Sequence, residues 1–321
     1  MPDTVPRPPF DPELDAVLTA MGRPSASLTA DHISAARSVP LPGAAEMESD
    51  LSARAIGTYD VTISGYLGAD ILLTVFAKAE GTNRPVIYYT HGGGMVMGNR
   101  FAGITPLLDT VDRLNAVLVS VEYRLAPEFP DPYPVEDCYA GLLWTVTHTQ
   151  ELGIDPDRLI VAGSSSGGGL AAGTALLARD RQGPRLAGQL LMYPMLDDRD
   201  QTVSTRQIDG VGLWDRTSNA TGWTALLGDR KGGPNVSIYA APARATSLAG
   251  LPATYIDCGS AEVFRDEDVA YATRLWASGV PTELHIWAGG FHGFELFAPH
   301  ATISQAAVHV RDTWLDRVLR H

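Results

Sequence analysis

The sequence predicts an α/β fold: a mostly parallel sheet covered by helices on both faces. Three observations carry this. From Tyr59 onward, short runs rich in Val, Ile, Leu and Tyr alternate with longer amphipathic stretches. Some of the short runs, such as PVIYYT (85–90), are apolar nearly throughout, as strands buried on both faces are. The chain has 321 residues, 45% hydrophobic and 19% charged, which permits one large domain with a sizeable core.

Taken in order, residues 1 to about 50 are rich in Pro, Ala and Ser and hold no strand-like run. One weak amphipathic stretch runs through Leu14, Val17, Leu18 and Met21. A tail without structure and a small helical lid both remain open for this segment. YDVTISG (59–65) and DILLTVFAK (70–78) form an antiparallel opening pair. PVIYYT runs into His91-Gly92-Gly93-Gly94. A helix over about 105–115 precedes the strand AVLVSVEY (116–123). The next helix starts near Val135 and carries Tyr139, Leu142, Leu143 and Val146 on one face, and Asp155-Pro156 marks a turn. RLIVAG (158–163) leads into a helix through LAAGTALLAR. AGQLLMY (187–193), PATYIDCG (252–259) and TELHIWAG (282–289) are further strands. A helix near 264–278 and a terminal helix with Val310, Trp314, Leu315 and Val318 on one face complete the chain.

Between Pro194 and Pro252 the alternation stops. This insertion holds Trp214, Trp223 and the turn Lys231-Gly232-Gly233-Pro234, and reads as a second lid piece over the C-terminal edge of the sheet. The expected organisation is one domain over 1–321, capped by about 1–50 and about 195–250.

Lys plus Arg number 24 against 37 Asp plus Glu, a net charge of -13. Such a surface repels phosphate backbones and anionic lipid, so nucleic acid and membrane are poor partners and a small neutral substrate fits better. No run approaches the roughly 18 apolar residues of a membrane span. The opening MPDTVPRPPFDPELD lacks the basic and apolar regions of a signal peptide, so a cytoplasmic protein is expected. Cys138 and Cys258 read as reduced thiols. No metal-ligand spacing is visible, and no metal is expected.

The chemistry centres on Gly163-Ser164-Ser165-Ser166-Gly167. The pattern G-x-S-x-G alone is weak. Here a strand ends directly before it and Gly167-Gly168-Gly169-Leu170 opens a helix directly after it, which is the strand–turn–helix context of a nucleophile elbow. Ser165 is the candidate nucleophile. Small residues at 163 and 167 let neighbouring backbone approach, and the helix N-terminus adds positive potential at the Ser166 N–H. The glycines after His91 expose backbone N–H groups, so Gly93, Gly94 and Ser166 are candidate oxyanion donors. His91 reads as a shaper of that loop.

A serine nucleophile needs a base, nearly always His. Of the eight histidines, His292 sits in Gly289-Gly290-Phe291-His292-Gly293-Phe294, just after a strand, and is the candidate. His285 lies inside a strand, and His300 and His309 in the terminal segment. The orienting acid follows PATYIDCG, where Asp257, Glu262 and Asp266 compete. Glu262 sits in the loop and is preferred, since Asp257 is still in the strand and Asp266 opens a helix, where acids are favoured anyway. The order Ser165, Glu262, His292 is that of α/β-hydrolases. Met95, Met97, Phe101, Trp214 and Phe291 are candidates for the acyl or alcohol pocket, with core packing an equal alternative.

These motifs together resemble the hormone-sensitive lipase family, the family IV bacterial esterases. The match runs from about residue 55. It takes in the His91–Gly94 loop, Tyr123-Arg124-Leu125-Ala126-Pro127-Glu128, the elbow, Arg265-Asp266-Glu267 and His292-Gly293-Phe294. The resemblance implies an eight-stranded sheet, a cap from the N-terminal segment and the later insertion, and cofactor-free hydrolysis of short- to medium-chain esters. Lactones or aryl esters fit the same chemistry, and dimers through the last strand and helix are common in the family. Two departures stand out: Ser164 and Ser166 replace the usual Asp or Thr and Ala beside the nucleophile, and Glu262 replaces Asp. Two rival readings are an acyltransferase, distinguished by products with added alcohols, and a non-catalytic binding protein, distinguished by fluorophosphonate labelling.

Overall fold

The computed structural model describes residues 5–22, 27–39 and 44–320. Residues 1–4, 23–26 and 40–43 of the segment read as a lid lie outside the described residues. An eight-stranded sheet organises the chain in the order β1-β2-β4-β3-β5-β6-β7-β8. The strands are β1 (Gly57–Ser64), β2 (Asp70–Ala77), β3 (Arg84–Thr90), β4 (Val117–Glu122), β5 (Ile154–Ser164), β6 (Gly188–Met192), β7 (Ala253–Gly259) and β8 (Thr282–Trp287). Only β2 runs against its neighbours; β3 to β8 are parallel.

The N-terminal segment is helical where described: α1 (Pro12–Ala20), α2 (Ile33–Arg37) and α3 (Ala44–Ala53). Asp11 starts α1 as a cap, accepting the N–H groups of Glu13 and Leu14, and Pro12 supplies a preset first turn. The crossovers are α4 (Thr105–Leu114), α5 (Tyr133–Thr147) with the short α6 (Thr149–Leu152), and α7 (Ser166–Asp180). The insertion between β6 and β7 holds α8 (Val203–Gln207) and α9 (Arg216–Leu227). Then come α10 (Arg265–Ala277), the single turn α11 (Phe294–Phe297) and α12 (Thr302–Leu319). No described helix is long and apolar enough to cross a membrane.

Period-two side-chain alternation sorts the buried strand residues into two cores. Val86, Tyr88, Val119, Leu159 and Val161 face one side with α5, α7 and α10. Ile87, Tyr89, Leu118, Ile160 and Ala162 face the other with α4 and α12. A third cluster seats Leu14 and Leu18 of α1 against Phe291 and Phe294, beside the loop that carries His292.

Two local expectations shift. The buried face of α5 carries Val135, Cys138, Tyr139 and Leu142, while Leu143 points to solvent. The Asp155-Pro156 turn lies inside β5. Arg84 pairs with Ile154 and Val86 with Leu159, so the intervening residues bulge out of the ladder. A bulge is where a sheet accepts a proline, which has no N–H to donate. Both cysteines are free and buried.

Parallel strands place their C-terminal ends on one edge. The loops after β3, β5, β6, β7 and β8 therefore converge there, where open α/β sheets bind ligands.

Candidate active site

Ser165 follows β5 and begins α7 with φ 58 and ψ -125, a left-handed conformation that a non-glycine residue holds only under constraint. The constraint is visible. Its N–H donates to Met192 O at 2.9 Å, and its carbonyl accepts Met195 N–H at 2.9 Å. A Cβ on Gly163 would lie 2.3 Å from Gly167 O, and one on Gly167 would lie 2.1 Å from Thr90 O. Only glycine closes a turn this tight.

The Ser165 hydroxyl lies 2.9 Å from His292 Nε2, and His292 Nδ1 lies 2.6 Å from Glu262 Oε2. The loops after β5, β7 and β8 thus bring these three side chains together. For Nε2 to accept the serine proton, Nδ1 must carry hydrogen and donate it to Glu262. The imidazole is walled by Tyr193 and Phe264, edge-on at 5.0 and 5.2 Å, and by Trp214 at 6.5 Å. Burial raises the Glu262 carboxyl above its ordinary pKa, and the His292 hydrogen bond acts against that rise. Ser165 is 7% exposed, so the site is nearly closed to bulk water.

The competing acids are engaged elsewhere. Asp257 accepts Arg311 Nε at 2.8 Å, Arg311 Nη2 at 3.0 Å and the Trp287 indole at 3.1 Å. Asp266 accepts Ser204 N–H at 2.8 Å and pairs with Arg265.

The glycine loop after β3 lies against the elbow: a Cβ on Gly92 would sit 3.3 Å from Ser165 Cβ. Gly93 has φ 120 and Gly94 φ 62. A Cβ on Gly93 would meet Met97 O at 2.1 Å, and one on Gly94 the Trp214 ring at 2.4 Å. His91 is buried, stacked on Tyr123 at 4.1 Å, with Nδ1 2.8 Å from Gly92 O. Burial lowers its pKa, so it is a neutral ring fitted to the loop. The loop is pinned twice. Met95 N–H donates to Ser166 Oγ at 3.1 Å, and Tyr123 O–H donates to His91 O at 2.8 Å. Ser164, the other departure beside Ser165, pairs its hydroxyl with that of Tyr89 at 2.9 Å.

The five pocket candidates separate. Trp214, from the insertion, lies beside both Gly94 and His292. Met97 is half-buried at the rim of the larger core. Met95 is buried in that core, Phe101 packs on Phe76, and Phe291 packs edge-on against Phe10 of the N-terminal segment.

Several residues around the site gave no signal in the sequence. Tyr193, with φ 38, presents its ring to His292 and donates its hydroxyl to Glu295 at 2.8 Å. Glu295 in turn accepts Arg311 Nη1 at 2.7 Å. Arg37 of α2 donates to Val96 O and Ala126 O, each at 2.7 Å, and pairs with Glu128, which ties the N-terminal segment to the glycine loop. The N-terminal segment also meets the insertion. Ser27 donates to Asp215, Leu28 N–H to Ser218 Oγ and Thr221 Oγ1 to Leu28 O. Among the described residues, one trio of side chains, Cys258, Glu262 and Asp268, converges within 4.8 Å as an ion site would require. Its Glu262 is already hydrogen-bonded to His292.

The chain is similar to known esterases of this fold. A family profile described as alpha/beta hydrolase fold matches residues 87–296. The carboxylesterase NlhH of Mycobacterium tuberculosis is 34% identical over 310 residues, 92% of each chain. The esterase LipI of the same organism is 38% identical over 224 residues, 67% of each chain. Among solved structures, a bacterial heroin esterase superposes with TM-score 0.86 at 37% identity, covering 97% of this chain and 98% of that one.

Proposed function

The chain belongs to the α/β-hydrolase fold family, in its hormone-sensitive lipase group, and from that premise we propose that it hydrolyses carboxylic esters with Ser165 as nucleophile, His292 as base and Glu262 as the acid that orients it. The protein is a carboxylesterase. The observation that carries the assignment of roles is the continuous pair of contacts from Ser165 Oγ to His292 Nε2 and from His292 Nδ1 to Glu262.

In the acylation step His292 takes the Ser165 proton as the oxygen attacks the ester carbonyl. The negative charge moves to the carbonyl oxygen, where the N–H groups of Gly93, Gly94 and Ser166 receive it. His292, now an imidazolium stabilised by Glu262, gives its proton to the departing alcohol. Water then enters, loses a proton to His292 and attacks the acyl-enzyme. The second tetrahedral intermediate collapses and returns the proton to Ser165.

The substrate class is a short- to medium-chain acyl ester. The near-closure over Ser165 and the Trp214 ring beside Gly94 support a small acyl group. The cap of this reading is made by the N-terminal segment and the 195–250 insertion. Their mutual hydrogen bonds through Ser27, Leu28, Asp215 and Ser218 support a single cap. Ser165→Ala should abolish turnover of p-nitrophenyl acetate and butyrate; wild-type rates in that variant would overturn the proposal. A panel of acyl lengths, lactones and aryl esters then fixes the substrate range.

A further inference from the structure

Three buried side chains meet behind the catalytic histidine. The thiol sulfur of Cys258 on β7 and one carboxylate oxygen each of Glu262 in the following loop and Asp268 in the first turn of α10 lie within 4.8 Å of one another. All three are buried, Asp268 at 0% exposure. Glu262 gives Oε2 to His292, while its Oε1 and both oxygens of Asp268 are buried without a hydrogen-bond partner. Buried carboxylate oxygens without a conventional partner are rare, and three of them on two neighbouring acids call for an explanation.

Two ionised carboxylates this close in a dry pocket repel strongly, so the pair holds one proton. Charge nearby does not relieve them. Asp257 and Glu267 add negative charge from β7 and from α10 itself. Arg311, beneath the site, is committed to Asp257 and Glu295. The Cys258 thiol is pushed up by burial and stays neutral. The proton belongs on Asp268, because Glu262 is stabilised as an anion by its hydrogen bond to His292, whereas Asp268 meets the weak S–H donor of Cys258. Burial, then the charges of Glu262 and Glu267, drive the Asp268 carboxyl well above the ordinary range.

We propose that Asp268 is a positioning residue for the catalytic carboxylate: as a neutral carboxylic acid it turns its O–H toward Glu262 Oε1, the oxygen that His292 leaves unused. This rests on the reading of Glu262 as the orienting acid. The Asp268 proton does not transfer at any step; it stays on Asp268 through acylation and deacylation. Its effect is to hold the longer Glu side chain in one rotamer, with Oε2 aimed at Nδ1, and to keep Glu262 ionised.

The test compares Asp268→Asn, Asp268→Leu and Glu262→Gln, reading kcat, KM and the acid limb of the pH–rate profile with p-nitrophenyl butyrate. Asparagine keeps an N–H donor and carries no charge. It should hold kcat within severalfold of wild type and leave the acid limb in place. Leucine removes the donor and should lower kcat by about tenfold to a hundredfold with KM little changed, the scale of a lost hydrogen bond to a charged group. A downward shift of the acid limb by about a unit in Asp268→Asn would mean that Asp268 is charged in the wild type and would overturn the proposal. So would a wild-type kcat in Asp268→Leu. If the leucine variant fails to fold, the asparagine profile still decides. Glu262→Gln separates the two levels: wild-type activity there would sink the catalytic assignment itself, whereas a crippled Glu262→Gln beside an unaffected Asp268→Leu sinks only the role of Asp268.

Discussion

The hydroxyl of Ser166 accepts the backbone N–H of Met95 across 3.1 Å, joining the tight turn at Ser165 to the glycine loop. Both partners are buried, and Ser166 stands where related elbows usually carry alanine. Ser166→Ala leaves the Met95 N–H without an acceptor, a cost of about 1–3 kcal/mol. We expect a lower thermal midpoint and a kcat reduced about tenfold, with KM changed less, because the loop's donors would lose their register with the proposed oxyanion site. Thermal unfolding and steady-state kinetics on the same preparation check both. An unchanged kcat would show that the remaining restraints, the Tyr123–His91 bond and the Arg37 contact to Val96 O, hold the loop.

Gly94 and Trp214 are coupled through space. A Cβ on Gly94 would press on the Trp214 ring at 2.4 Å, and φ 62 strains any L residue there. Gly94→Ala should cost roughly a hundredfold or more in kcat, the scale of one lost oxyanion donor. Adding Trp214→Ala removes the clash and leaves only the backbone strain, so the double variant should recover part of the loss. The double-mutant cycle measures this as a non-additive term. Strict additivity would mean that backbone strain alone does the damage.

Asp257 and Glu262 separate stability from catalysis. Glu262→Gln should lower kcat by orders of magnitude while the fold persists. Asp257→Asn should spare kcat by comparison and destabilise the fold, because it leaves the buried Arg311 with less compensating charge. Breaking a buried pair costs about 3–5 kcal/mol. Denaturant unfolding alongside kinetics distinguishes them. A collapse of kcat in Asp257→Asn with an intact fold would move the orienting role to Asp257.

The strands were legible because buried parallel strands are short, apolar and separated by turn residues, and all eight lie close to the runs read in the sequence. The elbow and the glycine loop were legible because chemistry forces glycine into positions where a Cβ would strike backbone, as at Gly167 and Gly93. The Asp155-Pro156 bulge was not, since a turn dipeptide inside a strand has the same local chemistry as one between elements. Leu143 misled for a related reason: the apolar stripe of α5 includes one residue that solvent reaches. Arg311, Glu295 and Asp268 left no trace because each sits in a helix at a position where a charged residue ordinarily faces water. Their burial follows from how α10, α11 and α12 pack on the sheet, which no local pattern encodes. Arg37 is hidden in the same way, its partners lying at Val96, Ala126 and Glu128.

The buried acids of α10 give stability a pH dependence of unusual sign. Burial first, then neighbouring charge, holds Glu267 and Asp268 well above the ordinary carboxylate range. A group raised in the folded state contributes fully below its unfolded pKa, about 4 for these acids, and loses that contribution as pH rises through the folded value. Their contribution therefore falls on going from acid toward neutral pH. His91 acts in the opposite sense: burial lowers its pKa, so its contribution is present above about 6.5 and lost as pH falls. The two effects oppose each other in the wild type, and a difference between variants isolates the first. Asp268→Asn removes one titrating acid and leaves His91 untouched. Between pH 5 and pH 8 its unfolding free energy should therefore gain on the wild type as pH rises. Urea unfolding at constant ionic strength across that range measures the difference. Parallel curves for the two proteins would show that Asp268 is already ionised in the folded state across that range, and Glu267→Gln would then identify whether its neighbour on α10 carries the slope.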